Sequence, residues 1–145
     1  MIREARYADA GALSRLLATS WAEMPYGHIP IDRRLLARSL HEHLTGGEES
    51  FAAVSEVRGE VKGTLLARWQ PLLVAQGSST TDIAFVCRSG EGRGLVRAYV
   101  EWARGMGTSI IGLSVSSDNE RAGRLFERCG FEFVGGNYQL REHLE

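Results

Sequence analysis

The chain has 145 residues, 43% apolar and 24% charged, with a formal net charge of −1 at pH 7. That length suits one domain with its own core, and the near-neutral charge excludes a global field drawing the chain to nucleic acid or a membrane. Two cysteines, Cys87 and Cys129, allow at most one bridge, which excludes a disulfide scaffold and fits reduced thiols in a cytoplasm.

Ile2 to Ala5 reads as a short first strand whose charged neighbours do not suit a signal peptide, and no later stretch approaches transmembrane length. From about Ala8 to Trp21, Leu13, Leu16, Leu17 and Trp21 recur at helical spacing. Two prolines and a glycine between Met24 and Pro30 break that pattern. Asp32 is a good cap for a second helix carrying Leu36, Leu40 and Leu44, and Gly46-Gly47 ends it. Ser50–Val57 and Val61–Trp69, joined through Arg58-Gly59-Glu60, predict a hairpin. A polar loop, Gln76 to Thr80, leads to a buried strand over Thr81–Cys87.

Ser89-Gly90-Glu91-Gly92-Arg93-Gly94 follows, and a helix over about Arg93–Arg104 buries Leu95, Val96, Tyr99, Val100 and Ala103. Thr108–Ser116 is predicted as a further strand. Ser117-Asp118-Asn119-Glu120 has the form of a capping box before a helix with Ala122, Leu125, Phe126 and Cys129 on one face, closed by Gly130. Phe131–Val134 and Tyr138–Leu140 are expected to complete the sheet. The resulting order, β-α-α-β-β-β-α-β-α-β, predicts one α/β domain: a mixed sheet with helices on its faces.

The strand, glycine-rich turn and helix start around Gly92 form an anion site in principle. Glycines let backbone amides approach a ligand, and a helix N-terminus adds the positive end of its dipole. A dinucleotide fold needs a different glycine spacing, although Asp118 is tolerably placed for its acid. A Walker loop needs a Gly-Lys-Ser/Thr sequence that does not follow.

These residues resemble the GNAT superfamily of acyl-CoA N-acetyltransferases. Its pyrophosphate loop, Gln/Arg-x-x-Gly-x-Gly/Ala, matches at Gly92 and Gly94, with Ser89 in the first position. Its second motif, Asn-x-x-Ala-x-x-Leu-Tyr followed by Gly-Phe, matches Asn119, Ala122, Leu125 and Gly130-Phe131, with Phe126 in place of tyrosine. The resemblance implies a GNAT-like mixed sheet and acetyl-CoA as donor, with no metal. It also implies a small-molecule or peptide amine as acceptor, and dimers are frequent in the family. It places the diphosphate on the amides of Gly90, Glu91, Gly92, Arg93, Gly94 and Leu95, with Arg88, Arg93 and Arg97 as further phosphate partners. The pantetheine arm would pair with Phe85, Val86 and Cys87, with Asn119 and Phe126 on its other side.

Acetyl transfer to an amine needs a neutral nitrogen, although a lysine-like amine titrates near ~10.4. It also needs a donor to the developing oxyanion, and a leaving thiolate. Asp82 is the first choice of base, though it equally suits a strand residue bonding a turn. Glu23 and His28 in the loop between the early helices are alternatives, and that loop, with Tyr26, would line the acceptor pocket. Trp21, Tyr26 and Trp69 could add an aromatic wall or simply pack in the core. In the family that this sequence resembles, the tyrosine of the second motif protonates the thiolate; Phe126 has no hydroxyl, so Tyr138, Tyr99 or water would take that part, Tyr138 being the first choice. Tyr99 falls on an apolar helix face and reads as core.

Overall fold

The turn at Arg58–Gly59 sets the register of the sheet. Both residues adopt left-handed φ values, 53° and 79°, the form of two-residue turn that matches the right-handed twist of paired strands. It joins β2 (Ser50–Val57) to β3 (Glu60–Pro71), with Val57 opposite Glu60. These coordinates come from a computed structural model that describes residues 1–115, 119–136, 138 and 140.

β1 (Ile2–Glu4) adds to β2, β4 (Ser78–Cys87) adds to β3, and β5 (Ile110–Ile111) ends the sheet. The order is β1-β2-β3-β4-β5, antiparallel except for the β4–β5 pair. Four α-helices accompany it among the described residues: α1 (Ala10–Glu23), α2 (Arg33–Leu44), α3 (Gly92–Gly105) and α4 (Glu120–Arg128). Asp32 caps α2 as its sequence position implies, its carboxylate accepting from the Arg34 and Leu35 amides at 3.0 Å each.

β3 is the central strand, buried on both faces from Gly63 to Ala67. Strand alternation sends Leu65 and Ala67 to one side, where they meet Ala53, Leu95, Val96, Tyr99 and Phe126. It sends Leu66 to the other side, against Leu13, Leu40 and Val54. The sheet is therefore sandwiched between α1 and α2 on one face and α3 and α4 on the other.

Two predicted elements differ from what is seen. The strand over Thr108–Ser116 shrinks to Ile110–Ile111, because beyond Ile111 the chain leaves β4. Phe131–Val134 forms no strand: the Phe131 amide donates to the Phe126 carbonyl at 3.0 Å, so the chain folds back on α4. Phe133, Val134 and Leu140 are exposed. Ser116, Ser117 and Asp118, which include the start of the predicted capping box, lie outside the described residues. So does Gln139, within the predicted Tyr138–Leu140 strand.

His43 on α2 carries a testable consequence. It is buried, with Nε2 2.7 Å from the Phe51 carbonyl and Nδ1 without a hydrogen-bond partner. Burial, with Arg68 nearby, holds its pKa below the ordinary histidine value. The unfolded chain therefore takes up a proton that the folded chain resists. The stabilisation from neutral His43 is complete above about pH 6.5 and is lost as pH falls through the lower folded value. Urea midpoints should drop as pH falls below that point, and the drop should be smaller in His43→Gln, which cannot titrate.

Candidate active site

A cleft of about 650 Å³ opens where the end of β4, the glycine loop, the start of α3, the first residues of α4 and the C-terminal end of α1 converge. Phe85, Val86, Cys87 and Arg88 form its β4 wall; Gly90, Gly92 and Arg93 form its floor. Asn119, Arg121, Ala122, Leu125 and Arg128 close one side, and Ser20, Glu23, Met24 and Pro25 the other.

The floor is a helix N-terminus. Glu91 caps α3, and the Leu95 amide is the first to find an intrahelical acceptor, the Glu91 carbonyl at 3.2 Å. The amides of Gly92, Arg93 and Gly94 precede it and have no carbonyl one turn back. Gly90 holds φ +80°, which turns the chain into the helix. Gly92 is buried, and a Cβ there would lie 2.9 Å from Leu125 Cδ2, 3.5 Å from Phe85 Cζ and 3.6 Å from Cys87 Sγ. Only a glycine leaves that space open beside the backbone.

Ser89, the departure from the loop motif, is an internal strut. The Ser55 hydroxyl donates to Glu91 Oε1 at 2.6 Å, so the 2.7 Å contact between Ser55 and Ser89 takes its proton from Ser89. Ser89 Oγ then accepts from the Glu91 amide at 3.1 Å and faces Cys87 Sγ at 3.5 Å. Ser55 is fully buried, so this chain of bonds fastens the loop to β2. Glu91 also binds the Met1 ammonium at 2.8 and 3.0 Å. That contact and the Ser55 hydrogen bond hold its carboxyl below the usual range.

The charge that the described residues bring to the cleft is mostly positive. Among the described residues, Arg88, Arg93, Arg121 and Arg128 line it against one carboxylate, Glu23, which pairs with Arg88 at 2.5 Å. Asn119 Oδ1 caps α4 by accepting from the Ala122 amide at 3.1 Å, leaving its side-chain NH2 as the group to offer a ligand.

β4 parts from its neighbour on the way to the cleft. It pairs with β5 only at Ser79–Ile110 and Thr80–Ile111, and the Gly112 amide still reaches the Thr80 carbonyl at 2.8 Å. The Ser114 amide instead donates to the Asp82 carboxylate at 2.8 Å. Ile83 bulges from the ladder with β3, since Leu66 faces Ala84 and Ala67 faces Asp82.

Of the residues singled out in the sequence, Phe85, Val86, Cys87, Arg88, Gly90, Gly92, Arg93, Asn119 and Glu23 come together in the cleft. The others are placed elsewhere. Leu95 is buried in the core, with its amide used inside α3, and Gly94 packs on Ile2, whose Cγ1 would be 2.8 Å from a Cβ. Glu91 turns toward Ser55, and Arg97 is exposed away from the cleft. Phe126 is buried between Phe85 and Phe131, with ring centroids 5.6 and 6.3 Å away. Tyr26 packs on Trp21 at 5.9 Å, and His28 is exposed. Trp69 lies on β3 opposite Thr80, so the three aromatic residues form no wall of the cleft. Asp82 is half-buried on Ser114, and burial raises its pKa; Tyr138 is fully exposed. Tyr99 is core: its hydroxyl donates to the Gly112 carbonyl at 2.7 Å and shares a hydrogen bond with Thr80 at 3.0 Å.

Arg121 and Arg128 line the cleft although neither belongs to a sequence motif. With Leu125 between them they stand at i, i+4 and i+7, one face of α4, a spacing the sequence does carry.

The family model described as Acetyltransferase (GNAT) family matches residues 13–131. The chain belongs to the GNAT acetyltransferase family. No curated protein matches it by sequence. Solved structures share the fold. The structure titled AAC(6')-Iy in complex with the bisubstrate analog CoA-S-monomethyl-acetylneamine superposes with a TM-score of 0.79 at 14% identity, covering 99% of this chain and 98% of that one. Glucosamine-6-phosphate N-acetyltransferase from Arabidopsis thaliana gives 0.72 at 16% identity, covering 100% and 98%. A transcriptional regulator from Bacillus halodurans C-125 gives 0.78 at 20% identity, covering 98% and 99%. Among the described residues of this GNAT domain, no helix is long and apolar enough to cross a membrane, and no three His, Cys, Asp or Glu side chains are grouped to hold a metal ion.

Proposed function

We propose that this GNAT protein is an N-acetyltransferase that moves an acetyl group from acetyl-CoA to a primary amine by direct attack in a ternary complex. One observation carries the proposal: the uncommitted amides of Gly92 and Arg93 at the start of α3 lie at a cleft lined, among the described residues, by four arginines, beside a strand edge that parts from β5 beyond Thr80. The bisubstrate complex of a protein with the same fold, AAC(6')-Iy, supports it by analogy of architecture.

The residues present fit the donor. The amides of Gly92 and Arg93 would take the diphosphate, with Arg93, Arg121 and Arg128 as charged partners. The edge of β4 at Phe85–Cys87, which no described strand pairs, would bind the pantetheine arm as a neighbouring strand would, and an amide there would donate to the carbonyl oxygen as charge builds on it. Acetyl-CoA supplies an activated thioester whose thiolate leaves readily. The chain's task is to place the acceptor nitrogen and remove its proton.

Glu23 is the one carboxylate that the described residues give the cleft wall, at the end where α1 gives way to the Met24–Pro25 turn. Once phosphate draws Arg88 away, Glu23 is free to receive the acceptor's ammonium and take its proton. We expect Glu23→Gln to lower kcat roughly 100-fold, the scale of a lost general base, while leaving the KM for acetyl-CoA nearly unchanged. Equal kcat in the two proteins at neutral pH would remove Glu23 from that role.

The described cleft contains no tyrosine or histidine side chain, which favours one second reading: a module that binds acyl-CoA without turning it over. Melting temperature with acetyl-CoA, with NAD as control, tests the donor site, since a ligand that binds only the folded state raises it. Thiol release across a panel of amines then divides enzyme from binder. No shift with acetyl-CoA would defeat both readings.

A further inference from the structure

In a regular parallel ladder, the Gly112 amide to Thr80 carbonyl bond is followed by one from the Asp82 amide to the Gly112 carbonyl, and then by one from the Ser114 amide to the Asp82 carbonyl. Here the Ser114 amide reaches Asp82 at 2.8 Å, but on the side-chain carboxylate. The residue that should close that rung closes it through its side chain, holding the two chains apart by the length of that side chain. Tyr99 acts on the same departing segment from α3, its hydroxyl taking the Gly112 carbonyl at 2.7 Å. The amide of Ser114 and the carbonyl of Gly112 are thus satisfied by side chains, and among the described residues no strand pairs with the β4 edge leading to Phe85–Cys87.

We propose that Asp82 is a positioning residue, a spacer built into the sheet that sets the width of the fork in which the acyl arm lies. Its role is that of a hydrogen-bond acceptor of fixed length. It is not a proton acceptor for the amine, because it contributes nothing to the cleft wall and its carboxylate is engaged with backbone. The inference rests on the acetyl-transfer reading for its kinetic consequences but not for its structural one.

Asparagine keeps an oxygen at the same reach, and alanine removes it. We expect Asp82→Asn to retain kcat/KM for acetyl-CoA within about threefold of the parent, with an unchanged pH profile. Asp82→Ala should raise the KM for acetyl-CoA about tenfold with a smaller change in kcat, the pattern of lost binding geometry. Amide hydrogen exchange at Ser114 should stay slow with asparagine and quicken with alanine. Loss of about 100-fold in kcat in Asp82→Asn, with one limb of the pH profile gone and Ser114 still protected, would make Asp82 a base and overturn the proposal. Parental KM and parental Ser114 protection in Asp82→Ala would overturn it as well. Should the alanine variant not fold, Asp82→Glu, one methylene longer, decides: a raised KM with kcat largely kept supports the spacer, and an unchanged KM refutes it. If the parent protein turns over no acetyl-CoA, the functional reading fails, and the exchange comparison still judges the fork.

Discussion

We expect Gly92→Asp to weaken the proposed acetyl-CoA binding by at least about 100-fold, a deficit of roughly 3 kcal/mol that titration calorimetry reads directly. Two effects add. The new Cβ lies 2.9 Å from Leu125 Cδ2 and close to Phe85 and Cys87, so the carboxylate enters a buried, mainly apolar corner. An unpaired charge there is costly in itself, and it faces the anion that the α3 amides would hold. Gly92→Ala separates size from charge. Its methyl meets only the flexible end of Leu125 at under 3 Å, so affinity should fall no more than about tenfold, about 1.4 kcal/mol. An aspartate variant that binds acetyl-CoA like the parent would show that the diphosphate rests elsewhere.

Arg3→Ala removes about 3 kcal/mol of folding stability, measured by urea denaturation, the scale for breaking a largely buried ion pair. Arg3 holds Asp9 with two bonds, 2.8 and 2.9 Å, and Glu56 with a third at 2.7 Å. All three side chains are at least three-quarters shielded from solvent. Alanine leaves two carboxylates half-buried without their cation. Arg3 also depresses the pKa of Asp9, so the stability from this pair is present above the unfolded value near 3.9 and lost as pH falls through the lower folded value. The variant should therefore show a flatter decline of stability in acid. Parental stability, or an unchanged acid decline, would deny the triad its weight. The site is affected too, because β1 carries Ile2, on which Gly94 at the start of α3 is packed.

The parts of this protein legible in its sequence are those fixed by local chemistry. The glycine loop, the Asp32 cap, the Arg58–Gly59 hairpin and the apolar face of α3 follow from residue type and spacing, and all appear at nearly the expected bounds. The shortened fifth strand was not legible. Ile110, Ile111, Leu113 and Val115 alternate well enough for a strand, but Asp82, some thirty residues earlier in the chain, takes the Ser114 amide out of the ladder. Arg121 and Arg128 escaped notice because an arginine facing a cleft and one facing solvent have the same helical spacing. Ser89 looked like a defect in the loop motif. Its role depends on Ser55, a partner from another strand, which no spacing rule could supply.

That last arrangement has a thermodynamic consequence. With Ser55, Ser89 and Glu91 already joined, the loop enters binding with its backbone conformation set. Little ordering entropy then opposes association, and the heat-capacity change should reflect apolar contact made by the ligand rather than folding of the protein around it. For the diphosphate proposed to dock there, such a seat would be preorganised, and its selectivity would come from a shape held before the ligand arrives.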